Sequence, residues 1–210
     1  MMRALGFLHG VHPPECKELT EHLRIKRMPF PDEVVLPVRQ HAGKPAQVLV
    51  RKGAHVERGD VVALADGFMS SPVHASAAGR VVAIEQWPHA DGTTAEAVRI
   101  AVEKYSAQVQ RPRLVPDWRG LSPQDIVKAV QEAGVVGLGG AAFPTHVKLT
   151  PPKDARVELL LVNGAECEPY LTTDHRSMVE YPDRVHTGIR IVLYTLSLHD
   201  ALPIYRKSVV

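Results

Sequence analysis

Between residues 34 and 102 the chain repeats one simple pattern, in which a short run rich in valine and other aliphatic residues is followed by a turn signal. The runs cover residues 34–38, 47–50, 61–64, 80–84 and 98–102. Glycine lies in most of the turns between them, as in Arg58-Gly59-Asp60. Runs this short, at this spacing, are typical of strands in a small barrel or sandwich. The pattern therefore predicts an all-β domain over residues 34–105.

The two halves of this β domain are similar to each other. Residues 50–62 and 72–82 each combine short β runs with glycine at tight turns, and they resemble the biotinyl/lipoyl-carrier fold, a barrel-sandwich. In carriers of that type a lysine at the hairpin tip takes the prosthetic group. The corresponding tip here, residues 66–71, has no lysine. We therefore expect a structural or docking role for the domain and no swinging arm.

The overall composition excludes several classes of function. Of 210 residues, 23% are charged and 5% are aromatic, and the net charge is +2 without a basic block. These values disfavour a nucleic-acid partner. No apolar stretch approaches the roughly 20 residues that a membrane-spanning helix needs, and the N-terminus lacks a signal-peptide pattern. We expect neither a transmembrane segment nor a leader.

The two cysteines, Cys16 and Cys167, lie far apart in sequence. A single distant pair is not a disulfide framework, and two thiolates without a CxxC spacing cannot hold an iron–sulfur cluster. We expect two reduced thiols and no metal site in this chain.

Four further parts surround the β domain. Residues 1–33 are rich in proline and charge and are predicted to be an extended arm, because each proline biases its predecessor away from helix. Residues 106–121 form a linker with two prolines, residues 122–194 mix helical and strand patterns, and residues 195–210 form a tail.

The part after the linker predicts an α/β arrangement. Ser122 is a suitable N-cap, Pro123 suits the first helical position, and Gly134 is a plausible stop, so a helix is expected between them. The elements expected after it are a buried strand over 157–162 and helices over 174–180 and 183–193.

A glycine-rich phrase, GLGGAAFPTHVK, occupies residues 137–148. Glycines allow a phosphate or a flavin to approach the backbone, and successive amides form an anion-binding nest. A phenylalanine ring can stack on a flat ligand, and a lysine can place a positive charge at a phosphate or flavin edge. Taken singly, each feature also fits a purely structural role. The candidate cofactor-binding residues of this phrase are Gly137, Gly139, Gly140, Phe143 and Lys148.

A second phrase, NGAECEPY, follows the apolar run at residues 163–170. Its candidate binding residues are Asn163, Glu166 and Glu168. Because the two glutamates are two residues apart in an extended segment, we expect their carboxylates on one side of the chain. There they can accept hydrogen bonds from ribose or ribityl hydroxyls. The alternative is a solvated acidic face.

Together with His-Pro-Pro-Glu at residues 12–15, these phrases resemble the C subunit of the Rnf (Rsx) ion-translocating electron-transport complex. That family is related to the NADH- and FMN-binding 51-kDa subunit of respiratory complex I. The resemblance runs from about residue 10 to about residue 193. It implies a mixed α+β chain, in which the barrel-sandwich domain precedes the N-terminal part of an α/β flavin- and NADH-binding domain.

The same resemblance implies an oxidoreductase and translocase function. The family member is peripheral on the cytoplasmic face of a bacterial membrane, oxidises NADH through FMN and works with the other subunits of a membrane Rnf complex. Its [4Fe-4S] clusters are held by motifs that this chain does not contain, so the chain alone is expected to be inactive. The eight candidate residues would line the FMN and NADH pocket, and none of them need act as a catalytic acid or base.

Two positions depart from the complex I pattern. Ala142 stands where that pattern usually has glycine, and its methyl group is tolerated only if φ is negative. Ala165 stands where the pattern has an aspartate, and the missing carboxylate is expected to weaken or alter flavin binding.

Two other interpretations of the whole chain stay open. One is a non-catalytic, carrier-like docking module, and the other is a soluble complex I–type NADH dehydrogenase subunit. The β domain ahead of the flavin part speaks against the second, since that relative is not expected to carry one there.

The tail has an unusual sequence. Residues 195–204 read TLSLHDALPI, which matches one reading frame of a widely used sequencing-adapter oligonucleotide. We predict that the native sequence ends near residue 194 and that residues 195–210 are an assembly artefact. The alternative is a genuine helix end.

Overall fold

The structure is a computed structural model that describes residues 13–109, 117–152, 154–199 and 201–204. It divides the chain into two compact units. We call the first the barrel unit, Met28–Ala155, and the second the terminal unit, Met1–Arg27 with Arg156–Val210. The glycine phrase therefore belongs to the same unit as the β domain.

The barrel unit is built from short antiparallel strands. They are β1 (Glu33–Pro37), β2 (Gln47–Val48), β3 (His55–Val56), β4 (Val61–Leu64), β5 (Val73–His74), β6 (Gly79–Pro88) and β7 (Thr94–Val102). One sheet has the order β1-β7-β6-β3, and the other has the order β2-β4-β5. Each of the five predicted runs forms a strand. The two-residue strands β3 and β5 were not predicted, because two residues are too few for a periodic signal.

Small aliphatic side chains fill the space between the two sheets. Val62, Val98 and Ile100 are completely buried at its centre. The strands also approach closely at Gly79, where an added Cβ would lie 2.1 Å from the Ala101 carbonyl oxygen. Only glycine fits there, so this position is fixed by the pairing of β6 with β7.

Two helices complete the barrel unit. Helix α1 (Pro123–Glu132) begins at Ser122, whose Oγ accepts a hydrogen bond from the Asp125 amide at 3.2 Å. It ends ahead of Gly134, which has a φ of +68°. The predicted start and stop of this helix are both confirmed. A single helical turn, α2 (Thr145–Lys148), follows the glycine phrase.

The terminal unit has a β-α-α-β order. A 3-10 turn at Lys17–Leu19 lies in the N-terminal arm. The later elements are β8 (Leu160–Asn163), α3 (Thr173–Glu180), α4 (Pro182–Thr195) and β9 (Ala201–Ile204), and β8 pairs with β9 in parallel. Both predicted helices are present within two residues of their expected limits.

The strand predicted over residues 157–162 differs from the expectation. Strand β8 begins three residues later, and it is not buried: Leu161 is 54% exposed and Leu159, just before it, is 46% exposed. Among the described strands β8 has one sheet partner, β9. In the described residues no helix is long and apolar enough to cross a lipid bilayer.

Candidate functional site

The glycine phrase forms a loop that is closed at its base and open at its tip. The Gly137 amide donates a hydrogen bond to the Phe143 carbonyl at 2.9 Å, and an antiparallel bridge joins Val136 to Pro144. Leu138 at the tip is 95% exposed. Residues 138–142 therefore form an exposed loop whose two ends are joined by these backbone contacts.

The backbone amides of this loop are free to bind a ligand. Within the described parts of the chain, no atom accepts a hydrogen bond from the amides of residues 138–143. Positive φ angles at Gly140 (+94°) and Ala142 (+45°) turn the chain. A Cβ added at Gly139 or Gly140 would meet nothing within 4 Å. Successive open amides at such turns suit an anion, so this donor set fits the phosphate of FMN or of a nucleotide.

Ala142 does not have the negative φ that its methyl group was expected to require. Its φ is positive, and its carbonyl accepts a hydrogen bond from the Ala42 amide at 3.2 Å, which holds the residue in place. An L residue in this left-handed region costs roughly 1–2 kcal/mol. The condition that the methyl group is tolerated only at a negative φ is therefore not met here, and the bond to Ala42 holds the backbone in this conformation.

Lys148 and Gly137 come together at the base of the loop. Lys148 is exposed at the end of α2, and a Cβ added at Gly137 would lie only 2.8 Å from its Nζ. Glycine at position 137 thus allows the ammonium group to rest against the loop backbone. Phe143 is half-buried.

His146 fastens the loop to the barrel. The side chain is completely buried, and its Nε2 lies 2.7 Å from the Phe68 carbonyl oxygen. Because a carbonyl only accepts, Nε2 carries the proton. The Phe68 ring meets the imidazole edge-on, with the centroids 5.6 Å apart. The loop and the hairpin tip of the barrel are therefore packed as one body.

This packing bears on the carrier interpretation. The tip is held from its other side as well, since Asp66 accepts hydrogen bonds from Lys44 Nζ and Gln47 Nε2, both at 2.6 Å. Ser70 and Ser71 are buried. A swinging arm needs a mobile, exposed tip, and this tip is held in contact with α2. The structural or docking role of the domain stays a prediction.

An open groove of about 590 Å³ runs beside the loop, with residues 140–142 on one wall. Arg39, His89 and Asp91 also line this groove. Arg39 donates hydrogen bonds to Asp91 and, at 2.9 Å, to Thr93. Hydrogen bonds from Thr93 are the main cause of the lowered pKa of Asp91. The carboxylate therefore stays ionised and offsets the charge of the arginine.

The glutamate phrase lies in the terminal unit, where its two carboxylates have different environments. Glu166 is 9% exposed, and its oxygens accept hydrogen bonds from the amides of Asp174 (2.9 Å) and His175 (3.3 Å). It therefore caps helix α3. Glu168 is exposed in the turn that follows. The prediction that both carboxylates lie on one side of an extended segment stays a prediction; the chain turns just after them, at Tyr170, where φ is +67°.

Asp174 adds a third carboxyl group to this region. Partial burial, followed by the charges of Glu166 and Glu168, raises the pKa of Asp174 above its ordinary value. In the part of the chain that the structure describes, no group of three or more His, Cys, Asp or Glu side chains is arranged to hold a metal ion. Asn163 is exposed, and its Oδ1 accepts a hydrogen bond from the Ala165 amide at 2.9 Å.

Two family models match the chain. One, described as the RnfC barrel sandwich hybrid domain, matches residues 5–105. The other, described as the Nuo51 FMN-binding domain, matches residues 130–208 and so includes both candidate phrases and most of the tail. The chain belongs to the RnfC family.

Curated relatives agree with this family. The chain is 42% identical over 196 residues to the C subunit of the proton-translocating ferredoxin:NAD(+) oxidoreductase complex of Clostridium ljungdahlii, an alignment that covers 93% of this chain and 43% of the relative. It is 39% identical to the Na(+)-translocating counterpart of Acetobacterium woodii, in an alignment that covers 91% of this chain and 43% of that relative. The C subunit of an ion-translocating oxidoreductase complex of Haemophilus influenzae is 34% identical, and this alignment covers 90% of the chain and 29% of the relative. The chain thus spans less than half the length of these relatives.

The mixed fold expected from the Rnf resemblance is confirmed, with the barrel-sandwich domain followed by the FMN-binding type of domain. The eight residues proposed for the Rnf cofactor site stay predictions. The structure places Gly137, Gly139, Gly140, Phe143 and Lys148 in the barrel unit, and Asn163, Glu166 and Glu168 in the terminal unit.

Sequence reasoning missed two residues that organise these phrases. His146 holds the glycine loop through a residue 78 positions earlier, and Lys17 holds the glutamate phrase across 149 positions. Neither residue lies in a periodic pattern or has a motif spacing to its partner. Only the folded chain shows these contacts.

Proposed function

We propose that this chain is the part of an RnfC protein that binds FMN and presents it to NADH. The intact protein would act in a membrane-associated oxidoreductase complex that couples electron transfer between NAD(H) and ferredoxin to ion translocation. One observation carries the proposal: a glycine loop with six consecutive open amides lies inside the segment that matches the FMN-binding domain.

The roles of the loop follow from its chemistry. Its amides would hold the FMN phosphate, the Phe143 ring would pack against a flat ring, and the Lys148 ammonium would add positive charge at the base of the loop. Bound FMN supplies a group that accepts a hydride from NADH and releases electrons one at a time. The protein contributes binding and orientation, and no side chain named here need transfer a proton.

The resemblance assigns the glutamate phrase to the same cofactors. Glu168 is exposed and so is available to accept hydrogen bonds from ribose or ribityl hydroxyls. Asn163 is exposed too, at the end of β8. Glu166 already uses both oxygens to cap α3, so its proposed role is to shape the segment.

The remaining parts of the proposal concern the intact complex. The partners would be the other subunits of a membrane Rnf complex, with this chain attached peripherally on the cytoplasmic side. The [4Fe-4S] clusters that receive the electrons would be bound by residues outside this chain, which has only two cysteines.

Titration with FMN of the complete protein, expressed from the intact gene, tests the site. Phe143→Ala and Lys148→Met should each raise the Kd for FMN about tenfold, which corresponds to ~1.4 kcal/mol. Phe30→Ala and Lys128→Met are matched controls, because both residues are exposed in the barrel unit and outside the loop. The proposal fails if the wild-type protein binds no FMN, or if the loop variants bind it as well as the controls do.

A further inference from the structure

Lys17, in the N-terminal arm, is a buried cation with three backbone partners. The residue is 6% exposed. Its Nζ donates hydrogen bonds to the carbonyl oxygens of Glu166 (2.9 Å), Leu171 (3.0 Å) and Glu168 (3.2 Å). An ammonium group has three donors, and these three bonds use all of them. Burial of a charged group is costly without such bonds, so the site is specific for a cation.

All three carbonyls belong to one short segment, residues 166–171. They converge on a single atom only because the chain curls around the ammonium group, with a positive φ at Tyr170. Without the cation, three carbonyl dipoles would face one another in a partly buried place and would repel. The lysine therefore fixes the curl of the segment that carries Glu166 and Glu168.

The arm reinforces this contact with neighbouring bonds. The Tyr170 amide donates to the Glu15 carbonyl at 2.9 Å, and Thr20 Oγ1 donates to the Tyr170 carbonyl at 2.6 Å. Farther along, Arg176 Nη1 of α3 donates to the Glu21 carbonyl at 3.1 Å. Residues 15–21 of the arm are thus packed into the terminal unit, and Lys17 is the most buried side chain among the described residues of the arm.

The curl also sets the direction of a carboxylate. The Glu166 carbonyl oxygen accepts a hydrogen bond from Lys17 Nζ, and the Glu166 carboxylate accepts hydrogen bonds from the Asp174 and His175 amides of α3. Movement of its backbone would withdraw the carboxylate from Asp174 and His175. Glu168, whose carbonyl also binds the lysine, would change its position relative to α3 at the same time.

We infer that Lys17 is a positioning residue for the glutamate phrase: its ammonium group holds residues 166–171 in the conformation that offers Glu168 to the hydroxyl groups of a cofactor. This inference rests on the proposed function for its effect on cofactor binding. Its structural half, the fixed curl and the cap on α3, is independent of any cofactor.

Lys17→Met in the complete protein is the decisive variant, because methionine keeps the apolar stem and removes all three donors. We expect the Kd for FMN, for NADH or for both to rise about fivefold or more, with faster amide exchange at Asp174 and His175. Lys17→Arg keeps the charge but has a planar donor fork, so it should fall between wild type and Lys17→Met. Lys26→Met removes an exposed lysine of the same arm and should match wild type.

The outcomes separate the role of Lys17 from the existence of the cofactor site. If wild type binds FMN and Lys17→Met leaves binding and exchange unchanged, or if Lys26→Met causes the same losses, the inference is overturned and the proposed function stands. If Lys17→Met speeds exchange at Asp174 and His175 without any change in cofactor binding, Lys17 has a structural role only and the inference is again overturned. If wild type binds no FMN, the proposed function falls, and amide exchange together with NADH binding decides the role of Lys17. Thermal unfolding of each variant checks that the remainder of the fold is intact.

Discussion

Ala142 is the position where a single methyl group conflicts with the backbone of the glycine loop. Its φ of +45° lies in the region that glycine adopts freely. Neighbouring Ala141 has no positive φ and is exposed, so it offers a matched comparison. The two alanines have the same side chain and differ in backbone conformation.

Ala142→Gly should therefore increase the free energy of unfolding of the barrel unit by 0 to about 1 kcal/mol. The relief of backbone strain in the folded chain should equal or exceed the cost of the flexibility that glycine adds to the unfolded chain. Ala141→Gly should cost about 0.4–1 kcal/mol. Urea unfolding of the two variants measures the difference. If Ala142→Gly loses as much stability as Ala141→Gly, the strain at this position is not present.

His146 links the loop to the barrel with one buried side chain. His146→Ala removes the hydrogen bond to Phe68 and leaves a cavity, so we expect a loss of about 2–4 kcal/mol in the free energy of unfolding. His55→Ala, at an exposed position of β3, should stay within about 0.5 kcal/mol of wild type. Denaturant titration compares them, and equal losses would contradict the anchoring role.

The helices and strands show which features are readable from the sequence. Helix α1 follows local signals, since the Ser122 cap, Pro123 and Gly134 act within a few residues. The five β runs are readable for the same reason. The anchors of the two site phrases are not, because the bonds of His146 and Lys17 join positions 78 and 149 residues apart. The backbone conformation at Ala142 depends on Ala42, which is equally remote in sequence.

We expect helix α3 to make a pH-dependent contribution to stability at its first turn. The pKa of Asp174 is raised above 3.8 by partial burial and then by Glu166 and Glu168. The folded chain therefore binds this proton more tightly than the unfolded chain. Its contribution to stability is lost as the pH rises from the ordinary pKa through the raised one.

A carbon-13 NMR titration of the Asp174 carboxyl group checks this expectation. Asp174 should titrate above 3.8, and Glu168→Gln should lower its pKa by removing one of the repelling charges. In parallel, Asp174→Asn should reduce the decrease in the free energy of unfolding that wild type shows as the pH rises above 3.8. A titration at or below 3.8 in wild type would show that burial and the glutamates do not act as described.

The last strand that the structure describes lies in the part of the chain with the unusual sequence. Strand β9 lies in the segment that reads as translated adapter, and it pairs in parallel with β8. The match to the FMN-binding domain extends to residue 208, over the same segment. The artefact hypothesis therefore stays a prediction.

Long-read sequencing of the locus tests that hypothesis. We expect a different native sequence after about residue 194, one that supplies its own parallel strand beside β8, because α3 and α4 already lead the chain back to that edge. An uninterrupted native frame through the codons of residues 195–204 would refute the artefact.

The function proposed for the whole protein depends on whether the open amides of the glycine loop bind the FMN phosphate. Nitrogen-15 amide NMR of the complete protein, with and without FMN, observes the atoms concerned. We expect the amides of residues 138–143 to show the largest shifts on FMN addition, and inorganic phosphate to cause smaller shifts of the same amides. Binding of FMN that leaves these amides unmoved, or no binding at all, would contradict the proposed site.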